Sequence, residues 1–337
     1  MTNTTRLLLG LSCAALVASA AGLYRTSRPV LAQTSPKAHW EPYREQHPTP
    51  SVDQGLTDPA LTGAIDLHAH YGPDAYERQW DAFEVVALAK ARGMRGVVLK
   101  NHWTESAGLV QLIRKYGEQG IEVFGSVTLD TPVGGVNPMA VRYMADVEGT
   151  WGRIVWMPTH DSEHEVRTLG QDRPFVRVSM NGELLPEVLE VIELIAEHGL
   201  TLATGHVTSD EALSILRVAR ARGVERMIVT HPGLGPQYTN MSLDELREAV
   251  DLGGYIEITA SMLIGDDEGR ERGLEILREI GPTHCFIASD SGLTGSPNHP
   301  DALVMAARVA RNAGFSEPDL DLLFKTNPAH LLGLSEH

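Results

Sequence analysis

The stretch Thr201–His231, TLATGHVTSDEALSILRVARARGVERMIVTH, holds two short apolar runs, TLATGH and MIVTH, around a longer segment. In that segment, Asp210–Arg222, apolar residues recur at helical spacing, and Gly223 follows it. Glycine suits the left-handed backbone that ends a helix. A short apolar strand, an amphipathic helix and a second short apolar strand form the pattern of a parallel sheet covered by helices. Each run ends in a histidine, His206 and His231.

The same unit recurs in both directions along the chain. Upstream, strands are predicted at Ala64–His70, Met94–Asn101, Ile121–Leu129 and Arg153–Thr159. Their helices are predicted at Asp81–Arg92, Ser106–Tyr116, Pro138–Val147 and Pro186–His198, the last after a polar insertion, Asp161–Glu183. Downstream, strands are predicted at Tyr255–Ala260 and Cys285–Asp290, with helices at Leu243–Leu252, Arg270–Ile280 and Asp301–Ala313. Two short helices, Glu317–Lys325 and Pro328–Leu332, close the chain. Eight strand–helix units predict a single-domain (β/α)8 TIM barrel of the α/β class. The rival is an open doubly wound sheet, but no glycine-rich phosphate loop follows any strand.

Composition narrows the function classes. The 337 residues are 42% hydrophobic and 6% aromatic, enough for one sizeable core. Lys+Arg number 28 against 44 Asp+Glu, a net charge of −16. Such a surface repels phosphate backbones, so a small molecule is the expected partner and nucleic acid is not. A homo-oligomer stays open. Cys13 and Cys285 cannot build a disulfide framework or a thiolate metal site.

The N-terminus reads as a targeting segment. A basic start, Met1–Arg6, precedes the apolar run Leu7–Leu23, and small-residue cleavage sites follow at Ala18-Ser19-Ala20 or Val30-Leu31-Ala32. Residues 1–32 are thus expected to be a signal peptide, making the protein periplasmic or extracellular. Left uncleaved, the run would anchor the chain in a membrane, its one expected membrane contact. Residues 33–60, rich in Pro and Thr, are expected to be a linker or strap, and 61–337 the barrel.

In a TIM barrel the functional face lies at the carboxyl ends of the strands. Strand one ends in His68-Ala69-His70, strand two in Lys100-Asn101-His102, strand four in Thr159-His160-Asp161. Strands five, six and eight end in His206, His231 and Asp290. Residues two apart on a strand share a face, so His68 and His70 can both point into the mouth and bind one cation. Imidazole with carboxylate suits zinc, and also manganese, nickel or iron. Lys100 shares its face with Val98, which places its stem inside the barrel. A bare ammonium there needs a partner or a change of state. It can pair with an acid such as Glu257 or Asp290, bind substrate, or be carboxylated to bridge two metals.

At these positions the chain resembles the amidohydrolase superfamily of metal-dependent hydrolases, through Asp66-Leu67-His68-Ala69-His70, His206, His231, Asp290 and the ending Asn327-Pro328-Ala329-His330-Leu331-Leu332-Gly333. The likeness spans roughly Ile65–Gly333, and His68–Asp74 looks like a poorly characterised amidohydrolase-like branch. The resemblance implies His68, His70 and Asp290 on one metal, with His206 and His231 on a second metal or partly on substrate. It also implies a bridging Lys or Glu on strand four. Strand four carries neither at its end, while Lys100, the alternative metal-bridging residue, lies on strand two. A one-metal centre, with His206 as ligand and His231 nearer the substrate, is therefore the fallback.

The reaction this predicts is metal-assisted hydrolysis of an amide, a lactone or ester, or a related bond. The metal would lower the pKa of its water toward about 7. Asp290 would act as base, and His231 or His160 would stabilise the oxyanion. The insertion reads either as a solvated surface loop or as a lid, with Arg167 or Arg173 reaching a substrate carboxylate. Tyr71, Tyr76, Arg78, Trp103 and His102 are expected around the same pocket. A metal-dependent decarboxylase or deaminase, and an exported non-enzymatic metal- or solute-binding protein, are the other readings.

Overall fold

The computed structural model describes residues 55–335. The expected signal segment and most of the expected strap lie outside the described residues. Among the described residues, no helix is long and apolar enough to cross a membrane.

Eight parallel strands form the barrel: β1 (Ile65–His70), β2 (Gly96–Lys100), β3 (Glu122–Thr128), β4 (Gly152–Trp156), β5 (Thr201–Ala203), β6 (Arg226–Val229), β7 (Gly254–Thr259) and β8 (Cys285–Ala288). They pair in chain order, each with the next. The ring closes where the chain leaves β8: Asp290 N donates to His68 O at 2.9 Å and His70 N to Ser291 O at 3.1 Å. The expected (β/α)8 barrel is the architecture found.

The covering helices are α1 (Ala82–Ala91), α2 (Ala107–Tyr116), α3 (Pro138–Asp146), α4 (Glu163–Thr168), α5 (Pro186–Glu197), α6 (Ser209–Ala221), α7 (Leu243–Asp251), α8 (Ala260–Ile264), α9 (Asp267–Ile280) and α10 (His299–Asn312). Their starts follow from local chemistry. Asp81 with Glu84, Thr208 with Glu211 and Ser242 with Glu245 form capping boxes that satisfy the first free N–H groups. Helix α10 begins two residues earlier than the sequence reading has it. Asn298 caps it, and Pro300 sits in the first turn, where its missing N–H costs nothing. The insertion after β4 is not a bare loop: it contains α4 and a two-stranded ribbon, Ser179–Met180 with Glu183–Leu184.

Two apolar layers result. The larger lies between strands and helices. The smaller fills the barrel, with Ile65, Leu67, Val98, Phe124, Trp156 and Phe286 at its centre. The C-terminal helices α11 (Glu317–Asp321) and α12 (Asn327–Leu331) close the far end, with Ala329 and Leu331 joining the interior. Asn327 donates to Cys285 O at 2.6 Å and Pro282 O at 2.7 Å, so the Asn-Pro-Ala ending is tied to the start of β8, away from the mouth.

Candidate metal centre

Strand β1 does not alternate cleanly. Leu67 packs inside the barrel, whereas Ala69 lies in the outer layer. Pairing with β2 shifts register between Asp66 and Ala69, the signature of a bulge, and the bulge turns His68 inward beside His70. Asp66 Oδ1 secures it, accepting from His68 N at 3.1 Å and from Ser289 N of the closing strand at 3.0 Å.

Three ligand atoms converge at this point. His68 Nε2 and His70 Nε2 lie 3.2 Å apart. Asp290 Oδ1 is 3.1 Å from the first and 3.2 Å from the second. A cation about 2.0–2.2 Å from each atom fits above such a triangle. His68 Nδ1 lies 2.8 Å from Glu257 Oε1; a proton on that nitrogen leaves Nε2 bare. The donor set and its spacing thus fit a divalent metal. His70 differs, because its Nδ1 accepts from Arg78 Nη2 at 3.0 Å, an atom that can only donate. Its ring proton is therefore on Nε2, facing Asp290.

His206 and His231 face one another across the next part of the mouth, Nε2 to Nε2 at 3.1 Å. His206 Nδ1 lies 2.5 Å from Glu165 Oε2, on α4 of the insertion. The ring of Tyr238 stands edge-on to both histidines, with centroids 4.7 and 4.9 Å away. Burial drives the pKa of His68, His70, His206 and His231 well below the usual imidazole value, so these rings are neutral and suited to metal binding. Burial raises the Asp290 carboxyl, against the pull of His68 and Lys100, and makes it a better proton acceptor. Its side chain is 19% exposed, while those of His68 and His70 are 0% and 5%, so the centre opens on the Asp290 side.

The backbone is strained at two of these residues. His231 has φ 22° and Asp290 φ 48°, in a region that costs a non-glycine residue about 1–3 kcal/mol. Both lie just past the ends of their strands, where the chain must turn while its side chain stays in the mouth.

Lys100 is buried inside, its ammonium 5.2 Å from the centre of the Trp156 ring. Burial lowers its pKa, partly offset by Asp290 and Glu257. It makes no salt bridge to either of these acids; Glu257 pairs with His68 instead.

The remaining expected residues divide. His102 and His160 reach the mouth beside His70, with the His70 and His102 rings stacked at 4.9 Å. Arg78 reaches it through His70, and Tyr76 stands edge-on to His102 and His160. Tyr71 turns the other way, into the layer between strands and helices, because alternation after His70 points it outward. Arg167 binds Glu163 and covers Phe175 on the surface of the insertion. Arg173 is held by Asp161 and the carbonyl of His160, so neither arginine stands free above the centre. Trp103 is exposed. Asp130, Glu165, Asp74 and Tyr238 belong to the mouth and were not singled out by the sequence. Asp130 lies two residues past the end of β3, the same position that His231 and Asp290 hold after β6 and β8.

The fold is a TIM barrel whose mouth gathers side chains able to hold a metal ion. Residues 63–257, more than half of the chain, match the family of unknown function DUF6282, and the chain belongs to that family. A comparison with curated proteins returns no match. Among solved structures, the chain is similar to the phosphotriesterase homology protein of Escherichia coli, complexed with phosphate in its active site, at 19% identity and a TM-score of 0.52, covering 80% of this chain and 98% of that one. It is also similar to an amidohydrolase of Burkholderia multivorans with bound zinc, at 16% identity and a TM-score of 0.54, covering 81% and 99%. A third, a candidate 2-pyrone-4,6-dicarboxylic acid hydrolase of Pseudomonas putida, shares 16% identity at a TM-score of 0.53, covering 82% and 99%. These likenesses show the (β/α)8 barrel fold.

Proposed function

We propose that the protein is a metal-dependent hydrolase that cleaves an amide, a lactone or ester, or a related bond of a small molecule at the barrel mouth. The observation that carries this reading is the His68–His70–Asp290 triangle, three ligand atoms with mutual separations of 3.1–3.2 Å. Without a cation, the bare His68 Nε2 and the carboxylate share one proton between three lone pairs, a poor arrangement for buried groups. Zinc suits the set best, and manganese, nickel or iron would also be accepted.

A bound divalent cation would supply Lewis acidity and water of lowered pKa, near 7. The chain's own residues would do the rest. Asp290, raised by burial and open on one side, takes a proton at its carboxylate and returns it to the leaving group. His231 is placed to donate from Nε2 to a developing oxyanion, releasing its contact with His206. Lys100, which binds no carboxylate of its own within the mouth, supplies positive charge for an anionic group of the substrate. With residues 1–32 removed as a signal, this chemistry takes place outside the cytoplasm.

The test is a panel of lactones, esters and cyclic amides beside aromatic carboxylic acids, with CO2 release read in parallel. Hydrolysis that disappears on chelation, and in Asp290→Asn, is the expected result. Turnover that survives metal removal, or CO2 as the product, overturns the hydrolase reading.

A further inference from the structure

A second cluster lies beside the first, on the other flank of His70. It is built from the ends of β2, β3 and β4. His102 Nδ1 lies 3.1 Å from Asp130 Oδ2, and His160 Nδ1 lies 3.4 Å from the same oxygen. The hydroxyl of Thr159 is 2.7 Å from that oxygen and 3.1 Å from His102 Nδ1. All three side chains of the His–Asp–His set are less than a tenth exposed. No lysine or arginine pairs with Asp130 among the described residues; its ionic partners are the two imidazoles.

The proton arrangement leaves a gap in this cluster. His160 Nε2 lies 3.2 Å from Asp161 Oδ1, a carboxylate that Arg173 and the Thr131 N–H hold in place. That contact puts the His160 ring proton on Nε2. The opposite nitrogen, Nδ1, faces the anionic Asp130 Oδ2 at 3.4 Å. It is buried and has no hydrogen-bond partner. A lone pair facing a buried carboxylate is repulsive unless a positive charge sits between them.

From this geometry we infer that His102, Asp130 and His160 hold a second divalent cation, bound through the two Nδ1 atoms and one carboxylate oxygen. Thr159 Oγ1 lies where a fourth ligand would stand. The set of two imidazoles, one carboxylate and a hydroxyl selects a metal of zinc, manganese or iron type over calcium. The site is distinct from the His68–His70–Asp290 triangle and shares no residue with it. It lies on strands β2–β4, so its occupancy does not depend on the hydrolase reading.

The experiment uses the full purified chain, stripped by chelation and titrated with Zn2+ alone, with metal content read by elemental analysis and binding by calorimetry. Co2+ in place of Zn2+ gives an independent absorption spectrum for each class of site. The expected result is that Asp130→Asn and His160→Gln each lose one equivalent of metal and one component of the Co2+ spectrum. His68→Ala should lose a different equivalent and leave the Asp130-dependent one in place. Two variants at the proposed site guard against a folding defect in either, checked by thermal unfolding. Should folded Asp130→Asn and His160→Gln both keep the wild-type stoichiometry and Co2+ spectrum, the second site is wrong, and a proton on His160 fills the gap instead. Loss of metal only in His68→Ala would leave the first centre standing and remove the second. Loss only in the Asp130 and His160 variants would do the reverse.

Discussion

Glu257 Oε1 lies 2.8 Å from His68 Nδ1, and both groups are buried at the end of the barrel interior. The carboxylate fixes which ring nitrogen carries the proton, and thereby which nitrogen is free for a metal. Its other oxygen accepts from the backbone N–H of His231 at 3.2 Å, so one side chain on β7 orients the histidines of two other strands. Replacing it with glutamine keeps the shape but lets an amide N–H face Nδ1 and push the ring proton to Nε2. Glu257→Gln is expected to weaken zinc binding by about 10- to 100-fold, measured by competition with a chelator. Unchanged affinity would mean that Glu257 only fills space.

Gly205 governs the position of His206. Its φ is +69°, and a Cβ there would lie 2.4 Å from the carbonyl oxygens of Met157 and Pro158. His206 N donates to that same Pro158 carbonyl at 2.9 Å. Gly205→Ala must therefore spread β4 from β5 at the point where His206 enters the mouth. A loss of at least about 1–3 kcal/mol in unfolding free energy is expected. Denaturant titration measures it. The wild-type midpoint in Gly205→Ala would show that the turn adapts freely.

The strand ends explain how much of this could be read in advance. His68, His70, His206, His231 and Asp290 each sit at the end of an apolar run, and a closed barrel gathers such ends at one rim. Alternation also bears on Tyr71, because the residue after an inward His70 must face outward. The bulge at Leu67–His68 has no signal in the sequence, since Asp66 acts through backbone atoms of two strands. Glu165 and Tyr238 come from an insertion and a loop, where no periodicity marks an inward side chain. Asp130 carried the right position but the wrong appearance: an aspartate after a strand ordinarily caps the next turn.

The first described turn is pinned to the barrel by charge. Arg311 donates to both oxygens of Asp58 at 2.9 Å, and Asp58 in turn caps Pro59–Leu61. Burial works against the charge on Asp58, but the Arg311 guanidinium holds its carboxyl below the ordinary value. A depressed carboxyl stabilises the fold above its unfolded pKa, and that contribution fades as pH falls through the lower folded value. Arg311→Ala is expected to cost about 1 kcal/mol at neutral pH, allowing for partial solvent screening. The gap between wild type and variant should narrow in acid, below the usual carboxylate range. Thermal unfolding of both proteins from neutral pH downward checks it, and a gap that widens in acid would contradict this sign.

Arg78 opposes the metal-binding form of His70. Its Nη2 donates to His70 Nδ1 at 3.0 Å and to Asp74 Oδ2 at 2.6 Å. For Nε2 to bind a cation, the ring proton must move to Nδ1, where it meets a second donor instead of an acceptor. The nearest acceptor is Asp74 Oδ2, 3.8 Å from Nδ1. Arg78→Met retains the length of the side chain and removes the competing N–H. Asp74 then loses its guanidinium, but it keeps the backbone N–H of His102 at 2.8 Å and gains the His70 N–H. Zinc affinity is expected to rise by about tenfold, equivalent to 1.4 kcal/mol. Calorimetry on the stripped protein measures it. A weaker affinity in folded Arg78→Met would mean that the guanidinium holds His70 in place for the metal rather than against it.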